Sequence, residues 1–168
     1  MVDAARHPNI TVMSYTEVKR VEGFIGNFKV LVEEKPRYVN MDRCNGCGAC
    51  SPVCPIEIPN EFEEGIAPRK AIYIPHAQAV PLRYVIDLDA CIHCYKCVDA
   101  CGKLDAIDFS QQPRQQWLDI GSILVATGFD NFDPSVIKEY GFGRYPNVIT
   151  AMELERINNS AGPTAGRI

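Results

Sequence analysis

The sequence of 168 residues has little that would favour a membrane, export or nucleic acid. No apolar run approaches the roughly 18 residues that a membrane-spanning helix needs. The N-terminus, Met1 to Pro8, lacks the apolar core of a signal peptide, so export is not expected. The 17 basic residues are outnumbered by 21 acidic ones and form no basic stripe, which disfavours nucleic acid as a partner. What is left is a globular composition, 46% hydrophobic and 23% charged, sized for one domain or two small ones.

Eight cysteines are the most informative residues, and all of them lie in two tight runs. Both runs read C-x2-C-x2-C-x3-C, and Pro55 follows the first. This is the spacing of bacterial ferredoxins with two [4Fe–4S] clusters, in which the fourth cysteine of each run binds the other cluster. It predicts the following ligands: Cys44, Cys47, Cys50 and Cys101 for one cluster, and Cys91, Cys94, Cys97 and Cys54 for the other.

Three other interpretations of the cysteines are weaker. Zinc sites separate their C-x2-C pairs widely and do not need four cysteines in eleven residues. Disulfides suit an exported chain, and redox C-x-x-C pairs would leave two cysteines of each run unused. Iron–sulfur clusters therefore fit the spacing best.

The two runs belong to an internal repeat, because Arg37-Tyr38-Val39 precedes the first and Arg83-Tyr84-Val85 precedes the second. In the first loop, Gly46 and Gly48 let the backbone bend closely around a cluster. The second loop has His93 and Tyr95 at those places. A positive charge on His93 or Lys96 would raise the reduction potential of the second cluster. The favoured alternative is that both side chains face water.

The flanking sequence predicts strands and short helices. Phe28 to Glu33 alternates as a half-buried strand does, and Ile120 to Gly128 is expected to be a strand buried on both faces. Gln111 to Gln116 is expected to be a polar connector between elements. Helices are predicted from Pro134 to Tyr140, with Asp133 as N-cap, and from a capping box at Thr150 to about residue 158.

Between the two runs lies an insertion, Ile56 to Ala90, whose prolines favour an extended path. Within it, Arg69 and Lys70 could contact a cofactor phosphate or an acidic partner. A solvated basic pair is an equally good interpretation.

The chain resembles the iron–sulfur flavoprotein component of heterodisulfide reductase, its A subunit, over nearly the whole length of the sequence. Besides the cysteine runs, the resemblance rests on these segments: Gly26 to Phe28, Lys35 to Val39, Asn60 to Phe62, Arg69 to Tyr73, Gln78 to Pro81, Val125 to Phe129, Glu153 to Arg156 and Gly162 to Thr164. The insertion and the Ala-Thr-Gly segment make the match specific.

The resemblance implies an α+β fold in which a bacterial-type ferredoxin domain with two [4Fe–4S] clusters is inserted into a partial thioredoxin-reductase-like FAD domain. The implied domains are a β-meander piece of the FAD domain at 1–36, the two-cluster domain at 37–109, and an α/β piece of the FAD domain with a flexible tail at 110–168. Thr127 and Gly128 would approach the flavin.

No G-x-G-x-x-G occurs among the 12 glycines, so the pyrophosphate of FAD has no glycine turn to rest on. FAD would then be shared with or held by another chain, and the chain would be a split subunit or a truncated piece. The implied function is electron transfer between a flavin and other iron–sulfur subunits or ferredoxin, with no catalytic residue. The implied partners are the other components of such a complex, with hydrogenase or formate dehydrogenase modules, in an anaerobic cytoplasm.

Two other functions stay open. In one, the chain completes a FAD site with a partner and so forms part of a flavoenzyme. In the other, it is a free-standing ferredoxin, although unpaired apolar strands would then be an association liability.

Overall fold

The computed structural model describes residues 2–167, which divide into two compact units. The first unit comprises the residues up to Glu57 together with Lys70–Leu124, and the second comprises Ile58–Arg69 together with the residues from Val125 onward. Short helices and small antiparallel sheets in one chain agree with the α+β class. The insertion into a FAD domain and the domain limits at residues 36 and 109 stay predictions.

The regular elements are short. The α-helices are α1 (Val2–Arg6), α2 (Lys96–Cys101) and α3 (Ala151–Asn158), and the strands are β1 (Thr16–Phe24), β2 (Asn27–Glu34), β3 (Glu57–Pro59), β4 (Pro68–Lys70), β5 (Ile72–Tyr73), β6 (Val85–Ile86) and β7 (Arg114–Ile120). Four single 3-10 turns lie at Glu61–Glu63, Gly102–Leu104, Pro134–Val136 and Lys138–Tyr140. None of the helices described between residues 2 and 167 has the length and apolarity to cross a bilayer.

The largest sheet has three antiparallel strands in the order β1-β2-β7. The strand predicted at Phe28 to Glu33 is confirmed within β2, where Val30 and Val32 are only 4% and 5% exposed. Their alternation with more accessible neighbours is the period-two pattern of a strand with one buried face. Val30 pairs with Val21 of β1 on one side and with Leu118 of β7 on the other.

The buried strand predicted at Ile120 to Gly128 is wrong. Only Ile120 belongs to a strand, and Leu124 and Val125 are 92% and 75% exposed. The reason lies in the partner strand: β2 begins at Asn27, Phe28 is already paired with Ile120, and the last backbone bond joins the Gly26 N–H to the Gly121 carbonyl. Among the described residues, those beyond Gly121 find no strand to pair with in this sheet.

The polar connector predicted at Gln111 to Gln116 is wrong in its second half. Residues from Arg114 onward form β7, an edge strand whose ladder bonds to β2 do not depend on apolar side chains. Polar residues are well suited to an edge strand, which explains why composition pointed to a connector.

Of the two predicted helices, the first is wrong and the second is confirmed. Pro134 to Tyr140 forms two 3-10 turns rather than one α-helix, although the Asp133 side chain accepts from the Ser135 N–H as an N-cap does. Helix α3 is confirmed with its capping box: Thr150 accepts from the Glu153 N–H, and the Glu153 carboxylate accepts from the Thr150 N–H.

The core of the first unit is built around the cysteines. Nine buried residues form it: Val39, Cys44, Cys50, Cys54, Ala71, Ile72, Ile86, Cys97 and Ala106. Strands β5 and β6 supply Ile72 and Ile86, each 2% exposed. Four thiols thus share the interior with aliphatic side chains, and the core and the candidate site coincide.

Candidate metal centres

The first unit contains two cavities that divide the eight cysteines between them. The walls of the first cavity include Cys44, Cys47, Cys50 and Cys101, and those of the second include Cys54, Cys91, Cys94 and Cys97. Each cavity therefore gathers three cysteines of one run and the last cysteine of the other. The buried side chain of Ile72 lines both cavities.

The two cysteine loops have left-handed residues at the same two positions. In the first loop, φ is 74° at Gly46 and 86° at Gly48, a region that favours glycine. In the second loop, His93 and Tyr95 occupy the equivalent positions with φ of 52° and 58°. The loop shape therefore requires left-handed residues in both runs, whatever their side chains.

The first loop is packed against the end of the insertion. A Cβ atom built on Gly46 would lie 3.0 Å from the Leu82 carbonyl oxygen, and one built on Gly48 would lie 3.4 Å from the Tyr84 hydroxyl. Glycine is needed here for space as well as for backbone conformation. Tyr84 also lines the first cavity.

The second loop carries aromatic side chains where the first has glycines. The ring of Tyr95 meets that of Phe109 edge-on at 5.4 Å between centroids, and His93 lies 5.5 Å from Phe109. Tyr38 stacks on Phe109 as well, at 6.3 Å between centroids. Tyr38 and Tyr84 are equivalent in the repeat, but Tyr84 lies directly against the first loop, whereas Tyr38 contacts Phe109.

Burial changes the pKa of two interior thiols, those of Cys50 and Cys97. It raises the pKa of Cys50 to about 12 and also raises the pKa of Cys97. Cysteine binds metals as the thiolate, so iron binding at these positions must release protons. The N–H of Ala106 also donates to Cys101 Sγ at 3.4 Å, and the N–H of His93 donates to Cys91 Sγ at the same distance. Such bonds stabilise negative charge on sulfur.

Two basic residues singled out in the insertion have acidic neighbours. Arg69 donates two hydrogen bonds of 2.6 Å to Glu61, and Lys70 donates one of 2.8 Å to Glu57. The Arg69 side chain is only 6% exposed, so the interpretation of a solvated basic pair is wrong for it. In the second loop, His93 and Lys96 are exposed, as the favoured alternative expects.

The candidate flavin-contact residues lie in the second unit, in a segment without regular structure. Thr127 and Gly128 are exposed, and φ at Gly128 is 76°. Apolar side chains beside them are exposed too, with Phe129 at 83%. Their role as flavin contacts stays a prediction.

Sequence reasoning missed the part played by Tyr84, Tyr95 and Phe109 around the cavities. The signal for Tyr95 was present, since aligning the two runs sets it against Gly48. The positions of Tyr84 and Phe109 depend on how the two halves of the repeat face each other, which only the fold reveals.

Residues 43–107 match the family model of the 4Fe–4S dicluster domain. The chain is also 57% identical over 166 residues to the iron–sulfur A subunit of the CoB–CoM heterodisulfide reductase of Methanocaldococcus jannaschii, covering 99% of this chain and 25% of that protein. The chain resembles this family over nearly all of its residues, and the resemblance inferred from the sequence is thereby confirmed.

Two further relatives are also A subunits of heterodisulfide reductases. The A subunit of the H2:CoB–CoM heterodisulfide,ferredoxin reductase of Methanothermobacter thermautotrophicus is 52% identical over 168 residues, with 100% of this chain and 25% of that protein covered. The A subunit of the H2/formate:CoB–CoM heterodisulfide,ferredoxin reductase of Methanococcus maripaludis is 52% identical over 167 residues, with 99% and 25% covered. The chain thus spans about a quarter of the length of these relatives.

Proposed function

We propose that the chain binds two [4Fe–4S] clusters, one on Cys44, Cys47, Cys50 and Cys101 and one on Cys91, Cys94, Cys97 and Cys54. The observation that carries this proposal is the division of the eight cysteines between two cavities, each with three from one run and the last from the other. The dicluster family match supports it. Eight thiolates are the full ligand set of two such clusters.

We infer that the chain relays electrons within a heterodisulfide-reductase-like complex, between a flavin and other iron–sulfur subunits or ferredoxin. When bound, each cluster exchanges single electrons, and the protein sets position and potential. The side chain of Ile72 lines both cavities, so the two centres would lie close together. The names of the relatives support partners that handle hydrogen, formate and ferredoxin.

The direct test is anaerobic purification with analysis of iron, acid-labile sulfide and flavin per chain. We expect about eight irons, eight sulfides and no flavin. Replacing either fourth ligand, as Cys54→Ser or Cys101→Ser, should perturb the cluster held by the other run. Zinc in place of iron, or loss confined to the cluster of the mutated run, would contradict the ligand assignment.

We further propose that Thr127 and Gly128 approach a FAD held mainly by another part of the assembly. Val125 and Phe129 beside them are exposed, which supports binding at this segment, because apolar side chains clustered on a surface commonly mark a binding site. The positive φ of Gly128 leaves its backbone open to close approach. Gly128→Val should then weaken flavin retention in the reconstituted complex and leave the iron content unchanged. Stoichiometric flavin on the isolated chain would favour the flavoenzyme alternative.

A further inference from the structure

The two candidate centres have unequal surroundings, although both loops have left-handed residues at the same two positions. At the position after the first cysteine, the first cavity is lined by Asn45 and the second by Ile92. At the position after the second cysteine, the first is lined by Gly48 and the second by Tyr95. Both loops have left-handed φ values at the same two positions, and the second run continues into helix α2 where the first has turns.

Phe109 holds Tyr95 in place. Its ring lies edge-on to Tyr95 and also contacts His93, while Tyr38 stacks against it. Ile92 and Tyr95 line the cavity yet are 60% and 54% exposed, so they stand between the cavity and solvent. We call Ile92, Tyr95 and Phe109 the apolar cover.

His93 and Tyr95 adopt a backbone conformation that L residues disfavour, at positions where glycine would fit without strain. Residues kept in such conformations point to a function of their side chains. The first loop shows that glycine forms the same turn, so the turn does not require these rings.

We propose that the apolar cover makes the centre on Cys54, Cys91, Cys94 and Cys97 harder to reduce than the centre on Cys44, Cys47, Cys50 and Cys101. Reduction adds negative charge, which water and polar groups stabilise and an apolar wall does not. Ile92 and Tyr95 act as positioning residues that set the solvent boundary of the second centre. The proposal rests on the proposed cluster binding, and an electron shared by the two centres would reside on the first.

The test is a potentiometric titration of the anaerobically loaded full chain, followed by electron paramagnetic resonance. The variant Tyr95→Gly copies the residue of the first loop, and glycine suits its φ. We expect two one-electron waves. In the variant, the midpoint potential of the more negative wave should rise by at least about 59 mV, which is a tenfold change in the equilibrium constant, and that of the other wave should stay unchanged. Ile92→Asn, the second copied residue, should act in the same direction. After exchange into D2O, the deuterium coupling in the electron paramagnetic resonance signal of this same centre should also increase, because water comes closer to it.

The matched control is Glu64→Gly, which relaxes another left-handed residue (φ 52°) in the second unit and should move neither wave. An unmoved lower wave in both variants, or movement of the higher wave, would overturn the proposal. Iron lost from both Tyr95→Gly and Ile92→Asn would also overturn it, because the side chains would then retain the cluster rather than set its potential. A wild-type chain with fewer than eight irons would instead refute the proposed cluster binding before any titration.

Discussion

At the scale of single residues, the repeat offers a matched pair of positions. Gly46 and His93 share a left-handed φ, but only Gly46 has the Leu82 carbonyl 3.0 Å from where a Cβ would lie. A side chain in this region costs about 1–2 kcal/mol even without a close contact. Gly46→Ala is therefore expected to lower both iron content and the urea midpoint of unfolding. His93→Gly removes the same strain and should keep eight irons; equal iron content in the two variants would contradict the prediction.

The ion pair between Glu61 and Arg69 gives a prediction of pH dependence. The hydrogen bonds from Arg69 lower the pKa of Glu61 below its ordinary value. A lowered pKa in the folded state means that the unfolded chain binds the proton more readily, so this pair adds stability above the ordinary glutamate range. That stability is lost as the pH falls through the folded pKa.

The Glu61→Gln variant should thus differ from wild type at neutral pH and converge with it in acid. Denaturant unfolding between neutral pH and about pH 2 measures this. Arg69→Gln should produce the same convergence, and the double variant should add little to either single one. A difference that grows on acidification would contradict the assignment.

At the scale of elements, a buried ion pair joins the 3-10 turn at Glu61–Glu63 to helix α3. Arg156 donates two hydrogen bonds of 3.0 Å to Glu63, and both residues are less than 10% exposed. The Arg156 guanidinium also lies 4.5 Å from the centroid of the Phe62 ring. Removing one partner of a buried pair leaves the other charge without compensation, which costs about 3 kcal/mol.

We therefore expect Glu63→Ala to destabilise the second unit by about 3 kcal/mol in urea unfolding monitored through the amides of α3. Glu155 provides the control, since it also accepts from Arg156 but its side chain is 51% exposed. Glu155→Ala should cost less than about 1 kcal/mol. Similar losses from the two variants would show that burial does not set the strength of this pair.

The elements also show what the sequence could and could not predict. Helix α3 was predictable because its capping box is local, and the strand at Phe28 because its alternation is local. Strand β7 was missed, and the strand at Ile120 to Gly128 was wrongly predicted. In both cases the partner strand β2 determines which residues pair, and β2 begins only at Asn27. The ligand sets of the two clusters stay a prediction from the motif, and the four cysteines of each predicted set line one cavity.

At the scale of the whole molecule, the two units depend on different interactions. The interior of the first unit contains four of the candidate ligands, Cys44, Cys50, Cys54 and Cys97. The described part of the second unit contains no cysteine and has the Glu63–Arg156 pair and the capped helix α3 instead. Metal binding and folding should therefore be coupled in the first unit only.

Anaerobic removal of iron by a chelator tests this coupling. Hydrogen exchange should show that the amides of Val85 and Ile86 in β6 lose their protection. Without iron, the four buried thiols are no longer linked through the clusters, and the core around them is less stable. The amides of α3 should keep theirs, since no candidate ligand contributes to that helix. Restoring iron and sulfide should restore the protection of β6. Equal loss in both units would mean that the second unit depends on the clusters as well, and unchanged protection in β6 would mean that the core forms without them.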